Sequence, residues 1–156
     1  MATMSDGAAT GWLEDGAHRF PVRVYWEDTD AGGIVYYANY LKFTERARSD
    51  MLRGLAVDQR GMLDARDGAM FAVRDVTVEY LKPARLDDDL VVRTSLVALK
   101  GATITLDQDV LRGGEELIRS RVRAAFIGLG GRPRRIPEAI RRAMTALAAR
   151  GREEET

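Results

Sequence analysis

After Gly68 the spacing of apolar residues changes from a helical period to a period of two, and that change leaves few folds open. In residues 75–81, Val76, Val78 and Tyr80 alternate with Thr77 and Glu79. In residues 103–111, Ile104, Leu106 and Val110 alternate with Thr103, Thr105, Asp107 and Asp109. In residues 117–127, Ile118, Val122, Ala124 and Phe126 alternate with Arg119, Arg121 and Arg123. Between them, residues 90–99 carry apolar side chains in both alternating sets, which predicts a strand covered on both faces. Lys100-Gly101 and Gly113-Gly114 predict hairpin turns, and Pro83 closes or bends the first strand. Four consecutive strands joined by short turns read as one antiparallel sheet.

Upstream, residues 20–26 predict a fifth strand. Tyr40, Phe43, Ala47 and Met51 then recur at i, i+3, i+7 and i+11, the apolar face of a helix running through Arg53. Asn39 stands at its N-cap position and Gly54 at its C′ position. Residues 57–67 predict a second short helix or a loop. Pro137 opens a last helix carrying Ile140, Ala143, Met144 and Leu147. One strand, a long helix, four strands and a terminal helix make an α+β chain with its helices on one face of one sheet. Residues 1–17, rich in Ala, Gly and Thr, predict a flexible tail whose removal leaves fold and turnover intact. Residues 18–150 predict a single domain.

Composition removes several functions. Lys+Arg and Asp+Glu number 24 each, so no charge imbalance points to nucleic acid or a membrane surface. Cysteine is absent, which excludes disulfides, thiolate catalysis and zinc–thiolate sites. The single histidine, His18, is expected ahead of the folded core, leaving no multi-histidine metal centre and no Ser-His-Asp triad. No apolar run approaches the roughly 18 residues of a membrane span, and the cytoplasm is the expected location. No GxSxG, Walker or HExxH motif is present.

The chemistry gathers in residues 24–40. Glu27, Asp28 and Asp30 crowd into four positions ahead of Gly32-Gly33 and a helix start. A helix N-terminus collects unpaired N–H groups and a partial positive charge. An acid beside it can act on a carbonyl that those groups polarise. Asp30 is the chosen acid, although its residue type alone equally suits an Asx-turn before the glycines. Asp28 reads as an acid fixing the loop, and Glu45 as a solvated surface acid of the helix. Gly33, with Ile34 and Val35, lies where the backbone can approach a ligand. Tyr36 and Tyr37 suit core or interface aromatics equally well.

The run DTDAGGIVYYANYLKFTERAR, followed by VRDVTVEYLKPARLDDDL, resembles the 4-hydroxybenzoyl-CoA thioesterase-like hotdog family. It is most similar to the branch of small acyl-CoA thioesterases associated with the Tol–Pal system. The resemblance covers residues 20–140. It implies a hotdog fold, with a five-stranded antiparallel sheet wrapped around a long central helix and a C-terminal helix. It implies hydrolysis of an acyl-CoA to free acid and CoA, with water as co-substrate and no cofactor or metal. On the matching positions, Asp30 is general base or nucleophile, and the Tyr37 backbone N–H polarises the carbonyl. That branch often carries His at position 37; Tyr37 keeps the backbone donor. CoA phosphates call for cations near the mouth, and Lys82, Arg85 and Lys100-Gly101 at strand ends or turns are the candidates. The resemblance also implies a homo-oligomer, a dimer or a dimer of dimers (homotetramer) with sites between protomers. Acyl carrier protein or Tol–Pal-related proteins are the further partners it suggests. A non-catalytic acyl-CoA or acyl-carrier-protein binding module on the same scaffold is the alternative. A lyase acting on hydroxyacyl-CoA is a third reading, disfavoured because it lacks its histidine.

Overall fold

Each alternating segment forms a strand, and the long amphipathic segment forms a helix. The computed structural model describes residues 2–3 and 9–154. Its elements are β1 (Ala2–Thr3), β2 (Trp12–Glu14), β3 (Ala17–Arg23), a 3-10 turn at Trp26–Asp28, α1 (Asn39–Gly54), α2 (Gln59–Asp64), β4 (Ala69–Tyr80), β5 (Asp89–Leu99), β6 (Thr103–Arg112), β7 (Glu115–Gly128) and α3 (Glu138–Glu154). Every neighbouring pair is antiparallel, in the order β1-β2-β3-β5-β6-β7-β4.

The sheet thus has seven strands where five were expected. All five expected strands are present as β3 to β7, and two short strands extend the β3 edge. Asp15-Gly16 explains the extension. Both residues have positive φ, 51° and 73°, and they join β2 to β3 through a two-residue turn. Such a turn matches strand twist and is the habit of Asp-Gly.

The core face takes its pattern from the alternation. Leu90, Val92, Val110 and Ile118 pack with Val24 under Tyr40, Phe43 and Ala47 of α1. Leu106 and Phe126 pack with Met51 and Leu52 of α1 and Met144 and Leu147 of α3. Phe43 and Met51 are each 1% exposed, and removing such a side chain from water stabilises the fold by about 2 kcal/mol. Between the two clusters runs one polar row across adjacent strands. Gln108 Nε2 donates to Thr94 Oγ1 and to the Thr44 carbonyl, both at 3.0 Å, and Ser120 Oγ donates to the Gln108 carbonyl. Each of these buried groups therefore has a partner.

The expected two-sided covering of residues 90–99 does not hold. Leu90, Val92 and Thr94 are buried, whereas Val91, Arg93 and Ser95 on the other set are half-buried and Val97 is exposed. That outer face is a lattice of ion pairs. Arg93 reaches Asp109 at 2.9 Å and Glu116 at 3.3 Å, Arg121 reaches Asp107 at 2.7 Å, and Arg123 pairs with Asp75.

The expected tail is also corrected over the residues described. Thr10 and Gly11 donate their amides to Asp50 of α1 at 2.7 and 2.8 Å, and Trp12–Glu14 pairs with β3. Residues 1 and 4–8 of that predicted tail lie outside the described residues. His18 is not ahead of the core but inside it. It is fully buried, with Nε2 at 2.9 Å from Asp50 Oδ2. Gly11 has to be glycine here, because a Cβ would collide with His18, the Arg19 carbonyl and Asp50.

Candidate active site

The acidic loop is stitched to two other segments by its own backbone. The Val24 amide donates to the Asp88 carbonyl at 3.0 Å, and the Asp87 amide returns to Val24. Val35 donates to the Ala84 carbonyl at 2.9 Å, and Ile34 bridges Arg85. Within the loop the Tyr36 amide and Asn39 Nδ2 both donate to the Asp28 carbonyl at 2.9 Å. The Asp28 carboxylate accepts the Tyr25 amide at 2.8 Å. Asp28 thus anchors the loop through both backbone and side chain, the part expected of an acid fixing the loop.

Asn39 does not cap α1. The N-cap is Ala38, with helical φ and ψ and no side-chain cap, because the Asn39 amide group reaches back to Asp28 instead. The start of α1 therefore keeps free donors. The amides of Tyr37 and Ala38 make no hydrogen bond among the described residues.

Asp30 stands at the exposed tip of this loop. Its Oδ1 accepts the Gly32 amide at 2.8 Å, an Asx-turn, while its backbone N–H donates to the Ile34 carbonyl at 2.8 Å. Gly33 closes the turn at φ +81°, a region that favours glycine. Oδ2 makes no hydrogen bond among the described residues. The turn thus fixes one carboxylate oxygen and leaves the other outward, with Asp30 tied to the residue that begins the next wall.

That wall is a groove lined by Ile34, Val35, Tyr37, Tyr40, Tyr80, Leu81, Lys82 and Pro83. Of the candidate binding residues, Ile34, Val35, Tyr37 and Lys82 meet there. Gly33 adjoins it, and Arg85 is joined to it through Ile34. Tyr40 is buried and its hydroxyl accepts the Ala84 amide at 3.0 Å; burial pushes the phenol pKa up. Arg112 staples the segment beyond the groove, holding Asp88 at 2.8 Å, Glu115 at 2.7 Å and the Pro83 carbonyl at 3.3 Å. Lys82 pairs with Glu115 at 3.3 Å, whereas Arg85 makes no ion pair among the described residues.

Lys100 and Gly101 do not join this group. They turn between β5 and β6 beside α3, where Arg141 caps the Lys100 carbonyl at 2.8 Å and Ile136 donates to the Gly101 carbonyl. The eleven residues of β5 separate them from the Asp88 end, roughly 30 Å along the strand. The strand-end placement was legible, but which end was not. The arginine row of β7 is likewise no free anion site, since Arg119, Arg121 and Arg123 are each paired with a carboxylate.

A second cavity lies between α1 and strands β4, β6 and β7. Met51, Leu52, Phe71 and Leu106 wall it, and Glu45, Arg48 and Ser49 rim it. No residue of the Asp30 loop lines it. Glu45 is exposed and tied to Arg48 and Ser49 at 2.8 and 2.9 Å, so it is not a free base.

The comparisons agree with this architecture. A family model described as the thioesterase-like superfamily matches residues 24–144. The chain belongs to the thioesterase-like superfamily. It is 42% identical over 134 residues to the acyl-CoA thioesterase YbgC of Haemophilus influenzae, covering 85% of this chain and 98% of that protein. It is 41% identical over 124 residues to the acyl-CoA thioester hydrolase YbgC of Escherichia coli O6:H1, covering 78% and 91%. Among solved structures, a probable thioesterase from Bartonella henselae superposes with a TM-score of 0.75 at 36% identity, over 78% of this chain and 99% of that one. The match spans loop, groove and both helices' entry into the core, and the hotdog fold is that of the family.

Proposed function

We propose that this thioesterase-like protein is an acyl-CoA thioester hydrolase whose reaction runs at the Asp30 loop. The relatives' named activity supports the reaction class. The observation that carries the site is that one stapled loop holds an Asp30 carboxylate oxygen and, seven and eight residues on, the Tyr37 and Ala38 amides, all without a partner among the described residues. In the general-base route, Asp30 takes a proton from water and the oxygen adds to the thioester carbon. In the nucleophilic route, the carboxylate adds first and water hydrolyses the mixed anhydride. In both, negative charge develops on the carbonyl oxygen, where the Tyr37 N–H stabilises it. The C–S bond then breaks, and CoA leaves as a thiolate that takes up a proton. Arg85, which makes no ion pair among the described residues although the Asp88 charge lies near it, suits a CoA phosphate, with Lys82 as a second cation.

The free edge of the sheet supports reading the protein as a homo-oligomer. β4 is the terminal strand of the sheet, twelve residues long, and Met70, Val73, Val76 and Tyr80 on it are exposed. An open, apolar edge of that length invites pairing with a second copy. Light scattering showing a stable monomer at micromolar concentration is the contrary result.

Free thiol release across a panel of short, long and aromatic acyl-CoA thioesters tests the activity. Hydrolysis of at least one class is expected. Tight binding of acyl-CoA with no release from any of them is the outcome that hands the protein to the binding-module reading, for which the Asx-turn role of Asp30 would suffice.

A further inference from the structure

Tyr37 lies outside the regular hydrogen-bond ladder of α1, which begins at Asn39. The directions of the free Tyr37 and Ala38 amides therefore depend on what holds the peptides upstream and downstream of Tyr37. On the upstream side the Tyr36 carbonyl accepts the Asn39 amide at 2.8 Å. A trans peptide sets N–H opposite to C=O, so this bond turns the Tyr37 N–H away from the helix. On the downstream side the Tyr37 carbonyl has a single partner among the described residues, the hydroxyl of Tyr80, which donates to it at 2.9 Å. Tyr80 comes from the edge strand β4, 43 residues away in sequence. Its ring also stands edge-on to Tyr37 at 6.2 Å and to Tyr40 at 5.9 Å. Tyr40 is itself fixed in the core. The Tyr37 carbonyl belongs to the peptide that carries the Ala38 N–H, so the three rings and this hydrogen bond tie the free Ala38 amide to the sheet.

We propose that Tyr80 is a positioning residue for the reaction, whose hydroxyl fixes the Tyr37–Ala38 peptide so that the Ala38 N–H serves, together with the Tyr37 N–H, as a donor to the developing oxyanion. The inference rests on the thioesterase reading of the site. Tyr80 does not touch the reacting atoms in this account. Burial and the neighbouring Tyr37 push its phenol above its ordinary pKa, so it stays a donor throughout the neutral range. Preorganised donors lose much of their effect when they must reorient during the reaction.

Tyr80→Phe keeps the ring contacts and removes only the donor. Two readouts on the intact protein test the idea. The first is the backbone 15N relaxation of Ala38, whose N–H shares a peptide with the Tyr37 carbonyl, measured without substrate. Its order parameter is expected to fall from about 0.85 in the parent toward 0.6 in the variant, with the fold's other amides unchanged. The second is hydrolysis of the acyl-CoA that the parent turns over fastest. There kcat is expected to fall about tenfold while KM stays within a factor of two, because the loss falls on the transition state alone. An unchanged Ala38 order parameter overturns the positioning role whether or not the parent hydrolyses anything. A mobile Ala38 amide with parental kcat overturns Tyr80's part in catalysis. A parent that hydrolyses no thioester sinks the thioesterase reading, and the relaxation result still decides whether Tyr80 holds the amide.

Discussion

Two aspartates in this chain have opposite surroundings. Asp50 is 4% exposed and accepts the Thr10 and Gly11 amides and His18 Nε2. Asp30 is exposed, and only one of its oxygens is engaged, by an amide two residues away. Asp50 joins three segments, the residues before β2, β3 and α1, and has no oxygen facing solvent chemistry. Asp30 joins nothing distant through its carboxylate and leaves one oxygen without a partner among the described residues. A carboxylate whose acceptors are filled by distant donors serves architecture; one held only by its own turn is available for reaction.

The largest effect expected from this contrast is on stability. Asp50→Ala strands two amides and an imidazole N–H in the core, a loss of about 3 kcal/mol. Thermal melts should show it plainly, while turnover measured well below the melting temperature stays close to parental. A variant that melts like the parent would remove Asp50 from its structural role.

Deleting residues 1–14 comes next. It takes away β2 and both amide donors to Asp50, and should destabilise the fold by about 2 kcal/mol. This reverses what the composition of the segment suggests. Ala, Gly and Thr without a period read as a tail, yet the signal was present in Asp15-Gly16, an Asp-Gly pair between Trp12-Leu13 and Ala17-His18. Strands β4, β6 and β7 and both long helices were legible because their apolar spacing is strict, whereas β3 and β5 were legible only as apolar runs, and β3 lies three residues ahead of the expected 20–26. The His18–Asp50 pair was not, because a contact between residues 32 apart leaves no periodic trace. The Asp30 loop was legible in a different way. Its crowded acids and Gly32-Gly33 marked it, but sequence could not show that Asn39 turns back to Asp28 and leaves the helix start uncapped. Nor could it show which end of β5 carries Lys100.

The same buried pair predicts a pH effect. Burial pulls the His18 pKa below its ordinary 6.5, and the Asp50 hydrogen bond and charge oppose this without cancelling it. The folded state therefore binds the proton less well than the unfolded chain. Its contribution to stability is complete above pH 6.5 and is lost as pH falls from there through the folded pKa. Burial also raises Asp50, but the Thr10 amide, His18 and the Gly11 amide outweigh it and hold its carboxyl low, so its own contribution fails only at more acid pH. Melting temperature should begin to fall just below pH 6.5 in the parent and show no such step in His18→Gln. A step of equal size in both proteins would assign it elsewhere.

Smaller effects separate the two ends of the sheet. Arg85→Ala should raise KM for acyl-CoA about fivefold, since one exposed cation contributes about 1 kcal/mol. Lys100→Ala, at the far end of β5, should leave KM within error. A larger effect at Lys100 than at Arg85 would show that the turn of a neighbouring copy reaches the groove.

The division between the two aspartates is tested most directly by Asp30→Asn, which keeps the Asx-turn acceptor but cannot take a proton or attack a carbonyl. Thiol release and thermal melting are measured on the same preparation. The expected result is a fall of about 100-fold in kcat, the scale of losing a general base, with an unchanged melting temperature and retained acyl-CoA binding. Hydrolysis at the parental rate, or a loss of activity that simply follows a loss of fold, would contradict it.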